Sequence, residues 1–310
     1  MGTSQKYKAS VSGQPNWGRM TAALMSLAAS EAKDDELAEE ESELEKEDAE
    51  VEEVPEAPGR LPEQLPQPQI IPVTANPRKR KDIEKRRKRL NTQLDNNLRK
   101  SVSHAVRAAG GKKAVTSGRS LPFGYSGIAT ISNFVNNIVR IVEVGLDSWL
   151  EEHGIGGLQD KTPQEVLTTI LEYSKDTLNT IDSAAAGNAL ETLNEMLKER
   201  LGDDVLKFND KLADLLVPGE MTEFIDMFFA DYIYVHLSST VYEKLQRKYG
   251  LEKAIRLMEK IRDQIREDVK ALPDEHHASS IDWKGQEGHD FMANEFNRII
   301  SIYVPDENNN

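Results

Sequence analysis

The chain contains no cysteine, which excludes disulfide bonds, thiolate metal sites, iron–sulfur clusters and a cysteine nucleophile. No apolar run approaches the ~20 residues that cross a bilayer. The first residues also lack the charged, apolar and small-residue regions of a secretion signal. We therefore expect a cytoplasmic protein that does not enter a membrane. Strand-type alternation of apolar and polar residues is missing too, and this predicts an all-α fold.

Sequence motifs of catalysis are equally scarce. The run Gly110-Gly111-Lys112-Lys113 lacks the glycine spacing and the Ser or Thr of a phosphate-binding loop, and there is no Gly-x-Ser-x-Gly elbow. One polar segment has side chains that bind metals, but their spacing matches no zinc pattern, and we interpret the segment as a surface loop: His276, His277, Asp282, His289 and Asp290. We expect no enzyme, no cofactor and no metal site.

Charge is distributed in two opposite blocks. Residues 31–56 hold 15 acids against two lysines, and residues 78–119 hold 15 bases against three acids. Residues 30–77 have too little apolar content to fold alone, and their later part carries regularly recurring prolines. We predict an acidic, proline-rich linker without fixed structure, which keeps the chain soluble, masks the basic block or docks on a basic partner.

The sequence opens with Met1-Gly2-Thr3-Ser4, at the head of a polar stretch with no apolar period. Gly2 is small, so we expect Met1 to be removed. An α-amine with a pKa near ~8 would then be partly neutral and nucleophilic. Residues 1–29 are predicted as a flexible peptide that ends in a short helix from Trp17 to Ala29.

That short helix carries apolar residues at spacings of three and four, and isolated helices of this length are marginal in water. It must pack against something, either its own domain or a partner. We predict a partner-docking face formed by Trp17, Met20, Leu24 and Leu27.

Residues 78–127 are predicted as a basic amphipathic helix, ending at Gly110-Gly111, followed by a Gly/Ser/Lys-rich connection. Its basic residues suit phosphate backbones, an acidic protein face or the chain's own acidic block. No aromatic residue interrupts them, which argues against recognition of single-stranded bases. The candidate binding residues are Arg78, Lys79, Arg80, Lys81, Lys85, Arg86, Arg87, Lys88 and Arg89.

Residues 128–304 read as one helical-bundle domain behind this largely disordered N-terminal arm. A continuous apolar helix is predicted from Ile128 to Leu150. Thr162-Pro163-Gln164-Glu165 is a capping box that starts another helix. Pro218 opens a long helix that runs to Tyr249-Gly250. Further helices follow at Leu251–Leu272 and around Phe291–Ile300.

Several of these segments, taken in order, resemble QatB, a component of the four-gene Qat anti-phage defence system of bacteria. The resemblance rests on the opening Met1–Ser4, on the basic stretch from Arg86 to Ser120, and on the order of motifs in the helical domain. Those motifs are Ser132-Asn133-Phe134-Val135, Gly154-Ile155-Gly156-Gly157-Leu158 and Thr162-Pro163-Gln164-Glu165-Val166. The chain differs in its long acidic insertion and in having more lysines around Gly110–Arg119.

The resemblance implies a non-catalytic subunit beside an ATPase, a QueC-like enzyme and a TatD-like nuclease of the same operon. QueC-type enzymes use ATP to activate a 7-deazaguanine carboxylate for attack by ammonia, which a protein amine could replace. The hypothesis is therefore that Gly2, presented with Thr3 and Ser4, is modified with a 7-deazaguanine. The alternative is an adaptor that holds nucleic acid near the nuclease through its basic helix.

Overall fold

The computed structural model describes residues 17–51, 77–273 and 281–305, and every regular element in these ranges is helical, which confirms the all-α prediction. The α-helices are α1 (Gly18–Val51), α2 (Pro77–Ala108), α3 (Lys112–Thr116), α4 (Tyr125–Val144), α5 (Leu146–Glu152), α6 (Pro163–Ser174), α7 (Ile181–Thr192), α8 (Asn194–Leu201), α9 (Phe208–Leu215), α10 (Pro218–Tyr249), α11 (Leu251–Lys270) and α12 (Gln286–Tyr303). Within these ranges, no helix has both the length and the apolar character needed to span a bilayer.

The chain divides into two compact units, and the division falls within α1 and α2. Residues 25–97 form one unit, which we call the hairpin. Residues 17–24 and 98–305 of the described chain form the other unit, which we call the helical domain.

In the hairpin, the acidic part of α1 lies antiparallel to the basic part of α2. Leu37 and Leu90 line one groove between the two helices, and Leu44 and Ile83 line another. All four side chains are buried. Each helix therefore contributes apolar residues seven positions apart, the spacing that keeps one face of a helix against a partner helix.

This pairing explains why α1 is longer than the sequence predicts. The predicted helix ends at Ala29, and residues 30–77 are predicted as a linker without structure. The structure continues the helix to Val51, while residues 52–76 lie outside the described ranges. Residues 30–51 have few apolar side chains, but Leu37 and Leu44 meet a matching face on α2, and tertiary packing stabilises a helix that composition alone does not.

The helical domain is built around α10, which packs most extensively on α11 and α7 and also contacts α4, α9 and α12. Its aromatic face is buried, since Phe224, Phe228, Phe229 and Tyr232 are all fully inaccessible to solvent. Pro218 stands at the first turn of α10, and the helix ends at Tyr249, as predicted. Pro has no N–H to lose at a helix start and has the φ that a helix requires.

The predicted apolar helix from Ile128 to Leu150 is two helices in the structure. It begins at Tyr125, stops at Val144 and resumes at Leu146. Gly145 lies between them with φ of 88°, a conformation that glycine adopts without steric cost. The apolar pattern continues across this break because α4 and α5 both face the core, so periodicity alone gives no sign of it.

The capping box at the start of α6 is confirmed. The Thr162 side chain accepts a hydrogen bond from the Glu165 N–H at 3.2 Å, and the Glu165 carboxylate accepts one from the Thr162 N–H at 2.8 Å. These bonds satisfy two of the backbone donors that a helix start leaves open.

Candidate functional site

The predicted modification site, Gly2 with Thr3 and Ser4, lies outside the described residues. Trp17 is the first described residue and lies immediately before α1. The Trp17 ring meets the His236 ring edge-on, with 5.3 Å between centroids. His236 in turn stacks on Phe123 at 4.3 Å. Trp17, which directly follows residues 1–16 in the chain, is therefore held by an aromatic contact with α10.

Three of the four predicted docking residues are buried by packing within the chain itself. Met20 and Leu24 are fully buried in the helical domain, Leu27 is 2% exposed in the hairpin, and only Trp17 retains accessible surface. This agrees with the alternative interpretation, in which the segment packs against its own domain. Docking of a partner on these residues remains a prediction, and it requires α1 to leave its position in this structure.

The His236 ring is buried and packs against aromatic side chains. Both of its ring nitrogens are inaccessible and lack a hydrogen-bond partner among the described residues. Burial lowers the pKa of His236 to about 4, so the ring is neutral at cellular pH. Its contribution is the stacking that joins Trp17 to Phe123.

The turn that holds Phe123 is fastened by a buried carboxylate. The Gly124 N–H donates to the Tyr232 hydroxyl oxygen at 2.7 Å and to Asp182 at 3.3 Å. The Ser126 N–H donates to Asp182 at 2.8 Å, and the Tyr232 hydroxyl also donates to this carboxylate. Burial raises the pKa of Asp182 to about 6, although these hydrogen bonds favour the charged form. Asp182 thus ties the start of α4 to α7 and α10.

Gly124 allows a substitution test of this turn. Its φ is 116°, and a Cβ at this position would lie 2.2 Å from the Val115 carbonyl oxygen. We expect Gly124→Ala to lower the free energy of unfolding by roughly 2–4 kcal/mol, since backbone strain and overpacking act together. Denaturant unfolding measures the change. Gly219→Ala, where an added Cβ meets nothing within 4 Å, is the matched control, and an equal loss in both variants would contradict this account.

The basic residues of α2 lie on the hairpin, and some of them are paired with the acidic part of α1. Arg86 contacts Glu40 at 3.3 Å and Arg87 contacts Glu41 at 2.7 Å. All four side chains are at least 40% exposed, so each pair contributes little to stability. The side chain of Arg78 lies outside the described part, and the other candidate binding residues are exposed: Lys79, Arg80, Lys81, Lys85, Lys88 and Arg89.

The polar segment before α12 is only partly described, because His276 and His277 fall in the gap. Asp282 accepts a hydrogen bond from the Lys284 N–H, and His289 lies 3.9 Å from Asp290. Over the described ranges, no group of three or more His, Asp or Glu side chains is arranged to hold a metal ion.

Sequence reasoning missed the residues that position the start of α1. Nothing in the sequence connects Asp182 or Tyr232 to Gly124. The three positions are at least 50 residues apart in sequence, so no local pattern links them. The signal that was available is Gly124 itself, since a glycine directly before a strongly apolar helix is typical of a sharp turn.

The structure therefore defines an all-α protein in which a helical domain is accompanied by a hairpin of one acidic and one basic helix. Residues 110–303 match the family model described as Qat anti-phage system associated protein QatB. This match spans more than half of the 310 residues, and the chain belongs to the QatB family. No curated protein and no solved structure matches the chain.

Membership of this family makes the chain a component of an anti-phage defence system. The family description names an associated protein and no enzymatic activity. The match begins at Gly110, so the N-terminal residues, α1 and α2 lie outside it.

Proposed function

We propose that this chain is a non-catalytic, cytoplasmic subunit of a Qat defence complex and that its Gly2 amine is modified by a QueC-like enzyme of the same operon. The complex would also include the ATPase and the TatD-like nuclease. Family membership supports the defence role. The observation that supports presentation of the N-terminus is the aromatic anchor of Trp17 on His236, which gives the residues before it a fixed origin.

The proposed reaction requires nothing of this chain except a nucleophile. The enzyme converts the carboxylate of a 7-deazaguanine precursor and ATP into an acyl adenylate, with release of pyrophosphate. The neutral Gly2 amine attacks the acyl carbon, a C–N amide bond forms, the C–O bond to phosphate breaks, and AMP leaves while the nitrogen loses a proton. An α-amine with a pKa near ~8 supplies more neutral nucleophile at cellular pH than a lysine.

The length of the N-terminal segment is compatible with an active site on another protein. Fifteen residues, 2–16, precede Trp17. At up to ~3.3–3.6 Å per residue, an extended segment reaches about 50 Å from its anchor. The α-amine can therefore enter a deep pocket while the helical domain stays outside it.

The test is the intact mass and the N-terminal peptide mass of the chain, expressed with and without the QueC-like enzyme. We expect Met1 to be absent and Gly2 to gain the mass of a deazaguanine acyl group only when the active enzyme is present. An unchanged Gly2 beside an active enzyme would remove the proposal.

A second candidate function, binding of nucleic acid by the hairpin, is favoured by the exposed basic residues of α2. The neighbouring acidic helix opposes nucleic-acid binding, because Glu40 and Glu41 form salt bridges with Arg86 and Arg87. Nucleic acid would have to compete with the chain's own carboxylates, and such competition depends strongly on salt.

Substitutions in the hairpin test this second candidate. Charge reversal at Arg86, Arg87 and Arg89 should weaken binding of duplex DNA and flatten its salt dependence, by about 0.9 in the log–log slope per lost phosphate contact. Glu40→Gln with Glu41→Gln should strengthen binding several-fold by removing the competing carboxylates. Both effects are measurable by fluorescence anisotropy across a salt series.

The control for the glutamine variant removes two exposed acids elsewhere, with Glu199→Gln and Glu252→Gln. If this control strengthens DNA binding as much as the hairpin variant does, net charge alone explains the effect and the masking contact has no role.

A further inference from the structure

Three large apolar side chains are exposed where the segments before α4 and α7 meet in the helical domain, and we call them the patch. Leu121 is 58% exposed, and Tyr125 and Leu178 are each 39% exposed. Leu121 lies two residues before Phe123 in the turn that precedes α4, Tyr125 is the first residue of α4, and Leu178 lies in the turn before α7. Large apolar side chains exposed together on a folded surface commonly mark a binding site for another protein.

Hydrogen bonds hold the two turns side by side. The Ser126 hydroxyl donates to Asp176 at 2.7 Å, and the same carboxylate accepts from the Leu178 N–H at 3.4 Å. The Ser126 N–H also donates to Asp182 at 2.8 Å. The patch is thus fixed in place before any partner arrives, which lowers the entropic cost of binding.

The patch adjoins the anchor of the N-terminal segment. Phe123, between Leu121 and Tyr125 in the chain, stacks on His236, and His236 contacts Trp17. One aromatic cluster therefore contains both Phe123, which lies between Leu121 and Tyr125 in the chain, and Trp17, which directly follows residues 2–16. A protein bound at the patch is within the ~50 Å reach of residues 2–16.

The composition of the N-terminal segment explains why a separate docking surface is needed. Residues 2–16 contain Tyr7, Val11 and little else that is apolar, so the segment offers few anchors to an enzyme. Two linked contacts raise the effective concentration of the second one. The chain neighbours of the patch residues include the exposed polar and basic residues Arg119, Thr177 and Asn179, and polar residues of this kind form the rim of protein interfaces.

We infer that the patch of Leu121, Tyr125 and Leu178 is the docking surface for the enzyme that modifies Gly2. This inference rests on the proposed function for the identity of the partner. The enzyme binds the patch through its own exposed apolar residues, and the Gly2 amine then reaches the active site as an intramolecular ligand.

The experiment compares full-length chains carrying Leu121→Glu and Leu178→Glu with the wild type and with Leu206→Glu. Leu206 is 85% exposed on a different turn, so the control introduces the same side chain away from the patch. Binding to the purified QueC-like enzyme is measured by calorimetry without ATP, and modification is measured separately by mass. Circular dichroism and thermal unfolding establish that the variants are folded.

We expect the double variant to bind the enzyme at least ~10-fold more weakly than the wild type, as for loss of central interface contacts, while Leu206→Glu binds normally. Wild-type affinity of the double variant, or no binding of the wild type itself, overturns the docking surface. These results are distinct from failure of the proposed function. If the wild type binds through the patch but Gly2 stays unmodified, the docking surface stands and the proposed modification is wrong. If the double variant binds the enzyme and is modified as the wild type is, the modification stands and the docking surface is wrong.

Discussion

Replacement of Gly2 with proline is expected to abolish the enzyme-dependent mass gain completely. Met1 is still removed before proline, so the chain keeps an N-terminal amine, but that amine is secondary and enclosed in a ring. Attack on the acyl adenylate would have to form a crowded tertiary amide. The measurement is intact mass after co-expression, together with peptide mapping of residues 1–16.

A matched variant separates amine chemistry from loss of recognition. Gly2→Ala keeps a primary α-amine of similar pKa and adds one methyl group, so we expect modification to continue at a reduced rate. An N-terminal extension that buries Gly2 within the chain should block it. Mass gain on Lys6 or Lys8 in the proline variant would contradict the proposal, because it would show that the enzyme accepts an ordinary lysine.

None of these three changes should affect the folded part of the protein. Residues 1–16 precede the anchor at Trp17, and the buried core residues of the helical domain begin at Met20. The unfolding midpoints of all three variants should therefore equal that of the wild type. A lowered midpoint would mean that lost modification reports misfolding, and the comparison would then say nothing about Gly2.

The parts of the fold that sequence reasoning predicted correctly have strong local signals. Pro218 at the start of α10, the glycine pair after α2 and the capping box of Thr162 are each specified by a few neighbouring residues. Capping and turn residues act within one helical turn, so their effect can be predicted without knowledge of the tertiary structure.

The missed parts depend on partners distant in sequence. The extension of α1 to Val51 follows from pairing of Leu37 and Leu44 with Leu90 and Ile83. The seven-residue spacing is present in both segments, but the low apolar content and high charge of the first segment point more strongly to an unfolded linker. Opposite charge on two such segments favours mutual pairing, which is one of the three interactions that the composition of the basic helix allows.

The candidate site was less predictable than the fold. The family resemblance directed attention to Gly2, whereas the surroundings of Trp17 follow from contacts with His236 and Phe123, more than 100 residues away. Exposure of Leu121 and Leu178 was not predictable either, because apolar residues in turns carry no period that distinguishes buried from exposed positions.

Removal of two arginines should destabilise the helical domain more than removal of the carboxylate that they share. Asp231 on α10 is completely buried, and it accepts hydrogen bonds from Arg262 at 3.1 Å, from Arg266 at 2.6 Å and from the Thr192 hydroxyl. Burial favours the neutral carboxyl, but these bonds more than compensate, and the pKa of Asp231 lies below its usual value.

The two expected losses differ because Arg262 and Arg266 are partly exposed to solvent, whereas Asp231 is buried. With Arg262→Ala and Arg266→Ala, a buried carboxylate loses both cations, which costs about 3–5 kcal/mol. With Asp231→Asn, the arginines remain 32% and 28% exposed and can turn toward water, so we expect a loss of roughly 1–2 kcal/mol. Arg247→Ala, which removes an exposed pair with Glu243, should change stability by less than ~0.5 kcal/mol.

The pH dependence of the free energy of unfolding is an independent test of whether Asp231 is held ionised. In the wild type, the depressed pKa of Asp231 contributes stability above the unfolded value near ~4, and this contribution is lost as pH falls through the folded pKa. Without the arginines, burial raises the pKa of the same carboxyl. The double variant should then gain stability relative to the wild type as pH is lowered from about 7 toward 4. Parallel stability curves for the two proteins would show that Asp231 is not held ionised by Arg262 and Arg266.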